Sequence, residues 1–164
     1  MKPAKIVGIQ YAALPYRIEG GRVRILLITS RETRRWIIPK GWPMDGLLPP
    51  EAAAAEAAEE AGIVGEVERK PIGSYRYDKR LKRQQSTAVQ VIVFPFRVDR
   101  QAEAWKEQGQ RDQAWFDPAV AAQRVAEPSL KRLIRDFGAA RAPSFLARQL
   151  RRYRTWRFGP AAVE

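Results

Sequence analysis

The chain has 164 residues, enough for one domain with a sizeable core, and it contains neither cysteine nor histidine. Disulfides, thiolate zinc sites, Ser-His-Asp catalysis and histidine-bound metals are therefore excluded, so any metal ion must bind oxygen ligands, as Mg²⁺ and Mn²⁺ do. The net charge of +12 favours anionic partners, whereas the lack of a long apolar run or a secretory signal predicts a cytoplasmic protein without a membrane partner.

The first half of the chain shows strand-like segments followed by a helix. Residues 5–14 and 22–30 are predicted strands joined by a glycine turn, and residues 36–39 form a short third strand. A loop rich in glycine and proline leads into the helix. Pro49 and Pro50 suit its start and Gly62 suits the position just after its end.

The second half predicts a long hairpin followed by helices. Residues 65–79 and 86–98 are strand-like, with the basic segment RLKRQQ between them. Residues 117–126 and 128–138 have helical periodicity. The resulting order, β-β-β-α-β-β-α, predicts an α+β fold in which helices pack on a mixed sheet.

The helical segment PPEAAAAEAAEEAGI, residues 49–63, carries a group of acidic residues. At 100° per residue, Glu56, Glu59 and Glu60 share one face, and the opposite face, predicted to be buried, holds Ala54, Ala57, Ala58 and Ala61. Like charges four residues apart cost roughly 0.2–0.5 kcal/mol, and acids in a last turn meet the negative end of the helix dipole. No neighbouring helix position is basic, so the pattern favours a divalent cation as the partner. The alternative is a solvated acidic face answered by distant arginines.

The same residues resemble the Nudix box, G-x5-E-x7-R-E-U-x-E-E-x-G-U, in which U is aliphatic. The pattern falls on Gly41, Glu56, Glu59, Glu60, Gly62 and Ile63, and it follows the segment WIIPKG. The resemblance to the Nudix hydrolase family covers roughly residues 5–138. It implies the Nudix fold, in which a mixed sheet lies between helices as an α/β/α sandwich and the box forms a loop, a helix and a second loop.

Two positions depart from the box. Leu47 stands where the family has a glutamate, and Ala55 stands where it has an arginine. In the family that arginine orients the catalytic glutamates. Its absence predicts a reduced rate, and it leaves open the alternative of a catalytically weak Nudix-fold module that binds nucleotides or nucleic acid.

The resemblance implies metal-dependent cleavage of a pyrophosphate bond. Mg²⁺, with Mn²⁺ as the alternative, is expected to bind Glu56, Glu59, Glu60 and the backbone carbonyl of Gly41, because these cations prefer oxygen ligands. A general base must accept a proton from the attacking water. Glu56 is the first candidate and Glu107 the second, so the expected catalytic residues are Glu56, Glu60 and Glu107.

The substrate prediction comes from the segment ITSRETRRWIIPKGW, which resembles the branch of diphosphoinositol polyphosphate and diadenosine polyphosphate hydrolases. In that branch a Ser-Arg pair contacts substrate phosphates. Arginine binds phosphate through a planar fork, and the predicted contacts are Ser30, Arg31, Arg35 and Lys40. A small, highly anionic polyphosphate is the expected substrate.

The C-terminal segment raises a different class of function. We divide the chain into a Nudix domain, residues 1–140, and a basic extension, residues 141–164, predicted to be helical and packed on the domain. Its RQLRRYRTWRF stretch mixes cations with aromatic rings, a composition typical of surfaces that hold single-stranded nucleic acid. The alternative function is therefore an RNA 5′-end pyrophosphohydrolase. The sequence leaves the oligomeric state open.

Overall fold

The computed structural model describes residues 6–80 and 86–142, apart from the side chains of Arg80 and Ser86. The predicted extension lies outside this part of the chain from residue 143 onward. The strands are β1 (Ile6–Glu19), β2 (Arg22–Thr29), β3 (Trp36–Ile37), β4 (Lys40–Gly41), β5 (Ile63–Val67), β6 (Gly73–Arg80), β7 (Ser86–Gln101) and β8 (Gln113–Phe116). The helices are α1 (Pro49–Ala61), α2 (Pro118–Arg124) and α3 (Pro128–Arg141).

The two long strands β1 and β7 pair in parallel and form the centre of a mixed sheet. Each is flanked on its outer side by two shorter antiparallel strands, β4 and β2 on β1, and β6 and β5 on β7. The strands β3 and β8 pair with β2. The predicted hairpin is confirmed as β6 and β7.

Prolines occupy the places where a central strand changes neighbours. Pro15 of β1 follows the residues paired with β4 and precedes those paired with β2. Pro95 of β7 likewise lies between the residues paired with β6 and those paired with β5. Because proline has no N–H to donate to a ladder, a gap between neighbouring strands accommodates it inside a buried strand.

Helices cover both faces of the sheet, which confirms the predicted α/β/α sandwich. On one face, Ala53, Ala57 and Ala61 of α1 pack with Phe94 and Phe96 of β7. On the other face, α2 and α3 cover the buried side chains of β1, β6 and β7. None of the helices in residues 6–80 and 86–142 is long and apolar enough to cross a membrane.

Several strands differ from the prediction. Residues 65–79 form two strands instead of one, because β5 ends at Val67 and a segment that contains Pro71 separates it from β6, which begins at Gly73. The strands β4 and β8, of two and four residues, were not predicted. The predicted helices after residue 117 are present as α2 and α3.

Helix α1 begins and ends as its sequence predicts. Pro49 is its first residue, the Glu51 carboxylate accepts the Leu48 N–H at 2.8 Å, and Gly62 adopts the left-handed conformation at φ 65°. The predicted buried face is confirmed for Ala57 and Ala61, and Ala54 packs against the same core, whereas Ala58 is exposed. The buried residues of α1 also include Glu60. One of the three acids is therefore buried, although the sequence predicted it on the open face.

Candidate active site

Gly41 of β4 makes room for the Glu56 carboxylate of α1. A Cβ atom on Gly41 would lie 1.8 Å from Glu56 Oε1, so the two side chains cannot share this space. Within the described residues, Glu56 has no side-chain hydrogen bond and no ion pair. Burial raises the pKa of Glu56, and the charges of Glu59 and Glu107 raise it further, against the opposing charges of Lys106 and Arg111. Glu56 is thus a half-buried carboxylate that forms no ion pair with a cation of the described residues.

Glu60 lies deeper in the same place and is held at both oxygens. Its Oε1 accepts a hydrogen bond from Arg111 Nη2 at 2.8 Å, and its Oε2 faces the Lys40 N–H at 3.4 Å. Burial raises the pKa of Glu60 to about 7, against the opposing effects of Arg111 and Lys40. The buried carboxylate is thereby fixed between β4 and the loop that precedes β8.

The loop of residues 102–112, between β7 and β8, packs on the C-terminal end of α1. The Glu107 N–H donates to the Glu59 carbonyl at 3.1 Å, and the Ala102 N–H donates to the Gly62 carbonyl at 2.7 Å. The Trp105 ring covers Gly62, where a Cβ atom would lie 2.2 Å from the ring. These contacts satisfy carbonyl groups that a helix end otherwise leaves without partners, and they bring Glu107 to the acidic end of α1.

Arg111 joins the carboxylates of the helix and the loop. Its Nε donates to Glu107 Oε2 at 2.7 Å, and its Nη2 donates to Glu60. The remaining Glu107 oxygen, Oε1, lies 3.3 Å from Arg31 Nη1. The structure therefore places the predicted catalytic residues Glu56, Glu60 and Glu107 together, although Glu107 comes from a distant part of the sequence.

The expectation that no protein cation pairs with these acids is wrong for two of them. Glu59 forms an exposed ion pair with Lys106 at 2.7 Å, and Glu60 pairs with Arg111. Both cations come from the loop before β8, so the helix sequence gives no sign of them. Glu56 remains the member of the triad without such a partner in the described part of the chain.

The predicted substrate contacts come from the turn between β2 and β3 and from β4. Ser30 and Arg31 belong to the turn between β2 and β3, where the Ser30 hydroxyl contacts Thr33 Oγ1 at 2.6 Å and accepts the Arg35 N–H at 3.2 Å. Arg31 extends toward Glu107. Arg35 belongs to the same turn and is close enough to Lys40 for its charge to lower the pKa of that lysine.

Lys40 presents a cation without a carboxylate partner. Burial lowers the pKa of its ammonium group, whose Nζ lies 5.0 Å from the centre of the Tyr77 ring. The Tyr77 hydroxyl donates to Gln10 Oε1 at 2.8 Å. In residues 6–80 and 86–142, no carboxylate lies within ion-pair distance of Lys40. An anionic group of a ligand would supply that missing partner.

A shallow cavity of about 280 Å³ lies on the α1 side of the sheet, lined among others by Arg17, Gln113 and Trp115. The Arg17 guanidinium stacks over the Trp115 ring at 4.1 Å. None of the carboxylates described above lines this cavity, so the candidate site is defined by its chemistry and not by the depth of a pocket.

The NUDIX domain model matches residues 10–137. The chain belongs to the Nudix family. Two Arabidopsis thaliana relatives are Nudix hydrolase 18, mitochondrial, which is 33% identical over 111 residues, and Nudix hydrolase 17, mitochondrial, which is 32% identical over 116 residues. These alignments cover 63% and 66% of this chain and 60% and 61% of the relatives. The chain thus spans about 60% of their length, and since both are mitochondrial by name, the cytoplasmic location stays a prediction.

Solved structures share the Nudix fold at low sequence identity. A binary complex of the C. elegans Ap4A hydrolase matches with a TM-score of 0.60 and 20% identity, covering 81% of this chain and 96% of that one. The E. coli dihydroneopterin triphosphate pyrophosphohydrolase matches with a TM-score of 0.60 and 14% identity, covering 84% and 99%. These likenesses establish the fold alone.

Nudix hydrolases generally use divalent metal ions, and the donors at this site suit such an ion in their chemistry. Glu56 and Glu60 supply carboxylate oxygens, and the glycine at position 41 lets Glu56 lie directly against the backbone of β4. As the side chains stand, no group of three or more carboxylates in the described residues converges closely enough to hold a metal ion. Lys106 and Arg111 instead form ion pairs with Glu59 and Glu60.

Sequence reasoning missed Arg111 and Tyr77. Arg111 is one of 30 basic residues, and nothing in the surrounding segment QRDQ distinguishes it from a surface arginine. Tyr77 reads as an ordinary strand residue of β6. Only the folded chain shows that Arg111 contacts two carboxylates and that the Tyr77 ring lies beside Lys40.

Proposed function

We propose that this chain is a Mg²⁺-dependent Nudix hydrolase that cleaves a phosphoanhydride bond in a small polyphosphorylated substrate. The observation that carries the proposal is Glu56, a half-buried carboxylate with no cationic partner in the described residues, which lies on Gly41 beside Glu60. Such a carboxylate is costly to bury unless a positive charge joins it. A divalent cation is the charge that the Nudix family generally supplies.

In this proposal, Glu56, Glu59, Glu60 and the Gly41 carbonyl would hold the metal. When bound, Mg²⁺ neutralises charge on the phosphates and makes a bound water easier to deprotonate. Glu59 and Glu60 could offer oxygen lone pairs to a metal while Lys106 and Arg111 remain their neighbours, because each carboxylate oxygen has a second lone pair. The Mn²⁺ ion fits the same oxygen ligands.

The proton of the attacking water passes to Glu56 in this mechanism. Glu56 has no partner within the described chain, so an oxygen of its carboxylate is free to accept a proton. Glu107 is the second candidate, and it is less available because Arg111 and Arg31 already contact its two oxygens. Arg111 and Lys40, which flank Glu60, keep that carboxylate in place.

The substrate class follows from the cations around the carboxylates. Lys40 lacks a carboxylate partner in residues 6–80 and 86–142, and Arg31 is exposed beside Glu107. Ser30 and Arg35 complete the proposed set of phosphate contacts. These cations favour dinucleoside polyphosphates or diphosphoinositol polyphosphates over substrates with fewer charges. The RNA 5′-end alternative depends on the C-terminal extension, and no observation on the described residues favours it.

The test is product release across a panel of substrates with Mg²⁺ and with a chelator, at matched ionic strength. The panel contains diadenosine tetraphosphate, diphosphoinositol pentakisphosphate, ADP-ribose, nucleoside triphosphates and 5′-triphosphate RNA. We expect Mg²⁺-dependent cleavage of one of the first two compounds and its loss in Glu56→Gln. Preferred cleavage of the RNA would establish the alternative function. No cleavage of any compound by a folded protein would contradict the proposal.

A further inference from the structure

Arg111 is an almost fully buried arginine that contacts two carboxylates of the candidate site, one from α1 and one from the loop of residues 102–112. Its side chain is 6% exposed, and each of its three nitrogens donates to a different acceptor. Nε contacts Glu107 and Nη2 contacts Glu60, whereas Nη1 donates to the Thr29 carbonyl at 3.0 Å. Three hydrogen bonds in different directions therefore fix the plane of the guanidinium group.

The backbone beside Arg111 is held as firmly as its side chain. The Thr29 N–H donates to the Asp112 carbonyl at 3.0 Å, and the Asp112 N–H donates to Thr29 Oγ1 at 2.9 Å. Thr29 ends strand β2 and is buried. The arginine therefore extends from a point that the central sheet itself fixes, and it reaches α1 across the base of the 102–112 loop.

Helix α1 has no arginine of its own that could contact these carboxylates. Position 55, one turn before Glu59, carries only the methyl group of Ala55. The carboxylates of Glu60 and Glu107 come from elements that are distant in sequence, and Arg111 is the residue that contacts both. Without it, Glu60 would keep the Lys40 N–H and Glu107 would keep Arg31, and neither of these contacts joins the two carboxylates.

We propose that Arg111 is a positioning residue which supplies, from the loop before β8, the orientation of Glu60 and Glu107 that an arginine at position 55 would otherwise give. The inference rests on the proposed function, since it assigns Arg111 a part in that same site. It removes the reason to regard Ala55 as the mark of an inactive protein. Arg111 acts through the two glutamates and need not touch the substrate.

A purely structural ion pair would need the charge of Arg111, whereas positioning needs its planar fork. Lysine retains the charge but donates from a single nitrogen atom, so it cannot reach three separated acceptors in the same directions. Arg111→Lys therefore separates the two roles. The matched control is Arg97→Lys, because Arg97 forms an exposed ion pair with Glu66 at 3.0 Å outside the candidate site.

Three measurements are made on the full chain of each variant. Urea unfolding of the metal-free protein shows that the variants fold, and Mn²⁺ binding followed by electron paramagnetic resonance reports the site without substrate. Cleavage of the substrate that the panel identifies gives kcat and KM. For Arg111→Lys we expect kcat and Mn²⁺ affinity each to fall about 10- to 100-fold, as for residues that orient metal ligands. KM should change little, and Arg97→Lys should behave like the unsubstituted chain.

A folded Arg111→Lys variant that keeps both kcat and Mn²⁺ affinity would overturn the inference. If that variant does not fold, Thr29→Val decides, since it removes only the hydroxyl that accepts the Asp112 N–H. A fall in kcat with unchanged KM supports the inference, and an unchanged kcat overturns it. Absence of cleavage by the unsubstituted chain would instead count against the proposed function, while the Mn²⁺ measurement would still test Arg111.

Discussion

Replacing Gly41 by alanine should displace the Glu56 carboxylate without disrupting the fold. The added Cβ would lie 1.8 Å from Glu56 Oε1 and 2.1 Å from Cδ. Contacts below about 3 Å between such atoms are not tolerated, so the carboxylate must move by about 1 Å. A displacement of about 1 Å in a catalytic group can lower a rate about 100-fold. Crowding of this kind costs roughly 1–3 kcal/mol in the free energy of unfolding.

The assay compares kcat for the substrate identified by the panel with the free energy of unfolding in urea. We expect Gly41→Ala to lose about two orders of magnitude in kcat while it retains a cooperative unfolding transition. Turnover measured well below the unfolding midpoint then reports the geometry of the site and not the folded fraction.

Gly46→Ala is the matched control. Gly46 has φ 78°, and a Cβ atom there would meet nothing within 4 Å. The substitution should therefore cost roughly 1 kcal/mol of stability through backbone strain and leave kcat unchanged. If Gly41→Ala lost no more activity than Gly46→Ala, the argument that Glu56 must occupy the space beside Gly41 would be refuted.

Three further predictions concern charge. Because burial raises the pKa of Glu60 from 4.5 to about 7, its contribution to stability in metal-free protein is full below pH 4.5 and is lost as the pH rises to about 7. The free energy of unfolding in urea, taken relative to Glu60→Gln, should therefore fall across this range, and a rise would contradict the prediction. Lys40→Met should raise KM for a polyphosphate more than Lys70→Met does, since Lys70 is an exposed lysine in the segment between β5 and β6. Equal steady-state KM values would show that Lys40 does not contact the substrate. Arg141→Ala breaks a two-oxygen ion pair with Glu68 at 2.6 and 2.7 Å and should cost about 0.5–1 kcal/mol in urea unfolding with unchanged kcat, whereas a large loss of kcat would show that it reaches the site.

Features that depend on neighbouring residues were predictable from the sequence. Proline at the start of α1 and glycine after its end act on the local backbone, so both helix boundaries follow from Pro49 and Gly62. The spacing of Glu56, Glu59 and Glu60 is also local, and it was sufficient to indicate the family that the NUDIX domain match confirms.

The surroundings of the acidic residues of α1 could not be predicted, because they depend on contacts between distant segments. A helical wheel shows which residues share a face but not which other segments pack against it. Gly41 provides space for Glu56, and the loop of residues 102–112 brings cations to Glu59 and Glu60. These partners are separated from the helix by up to about 50 residues, so no periodicity within the helix reveals them.

The most direct test of the account is the rate of phosphoanhydride cleavage as Mg²⁺ is raised from zero, measured side by side for the unsubstituted chain and for Glu56→Gln. We expect no turnover of either protein in chelator, and a rate that rises with Mg²⁺ to saturation in the unsubstituted chain. Glu56→Gln should remain near the metal-free rate although it is folded. Cleavage in chelator, or equal Mg²⁺-dependent rates for both proteins, would contradict the assignment of the carboxylates around Glu56 as a metal-dependent active site.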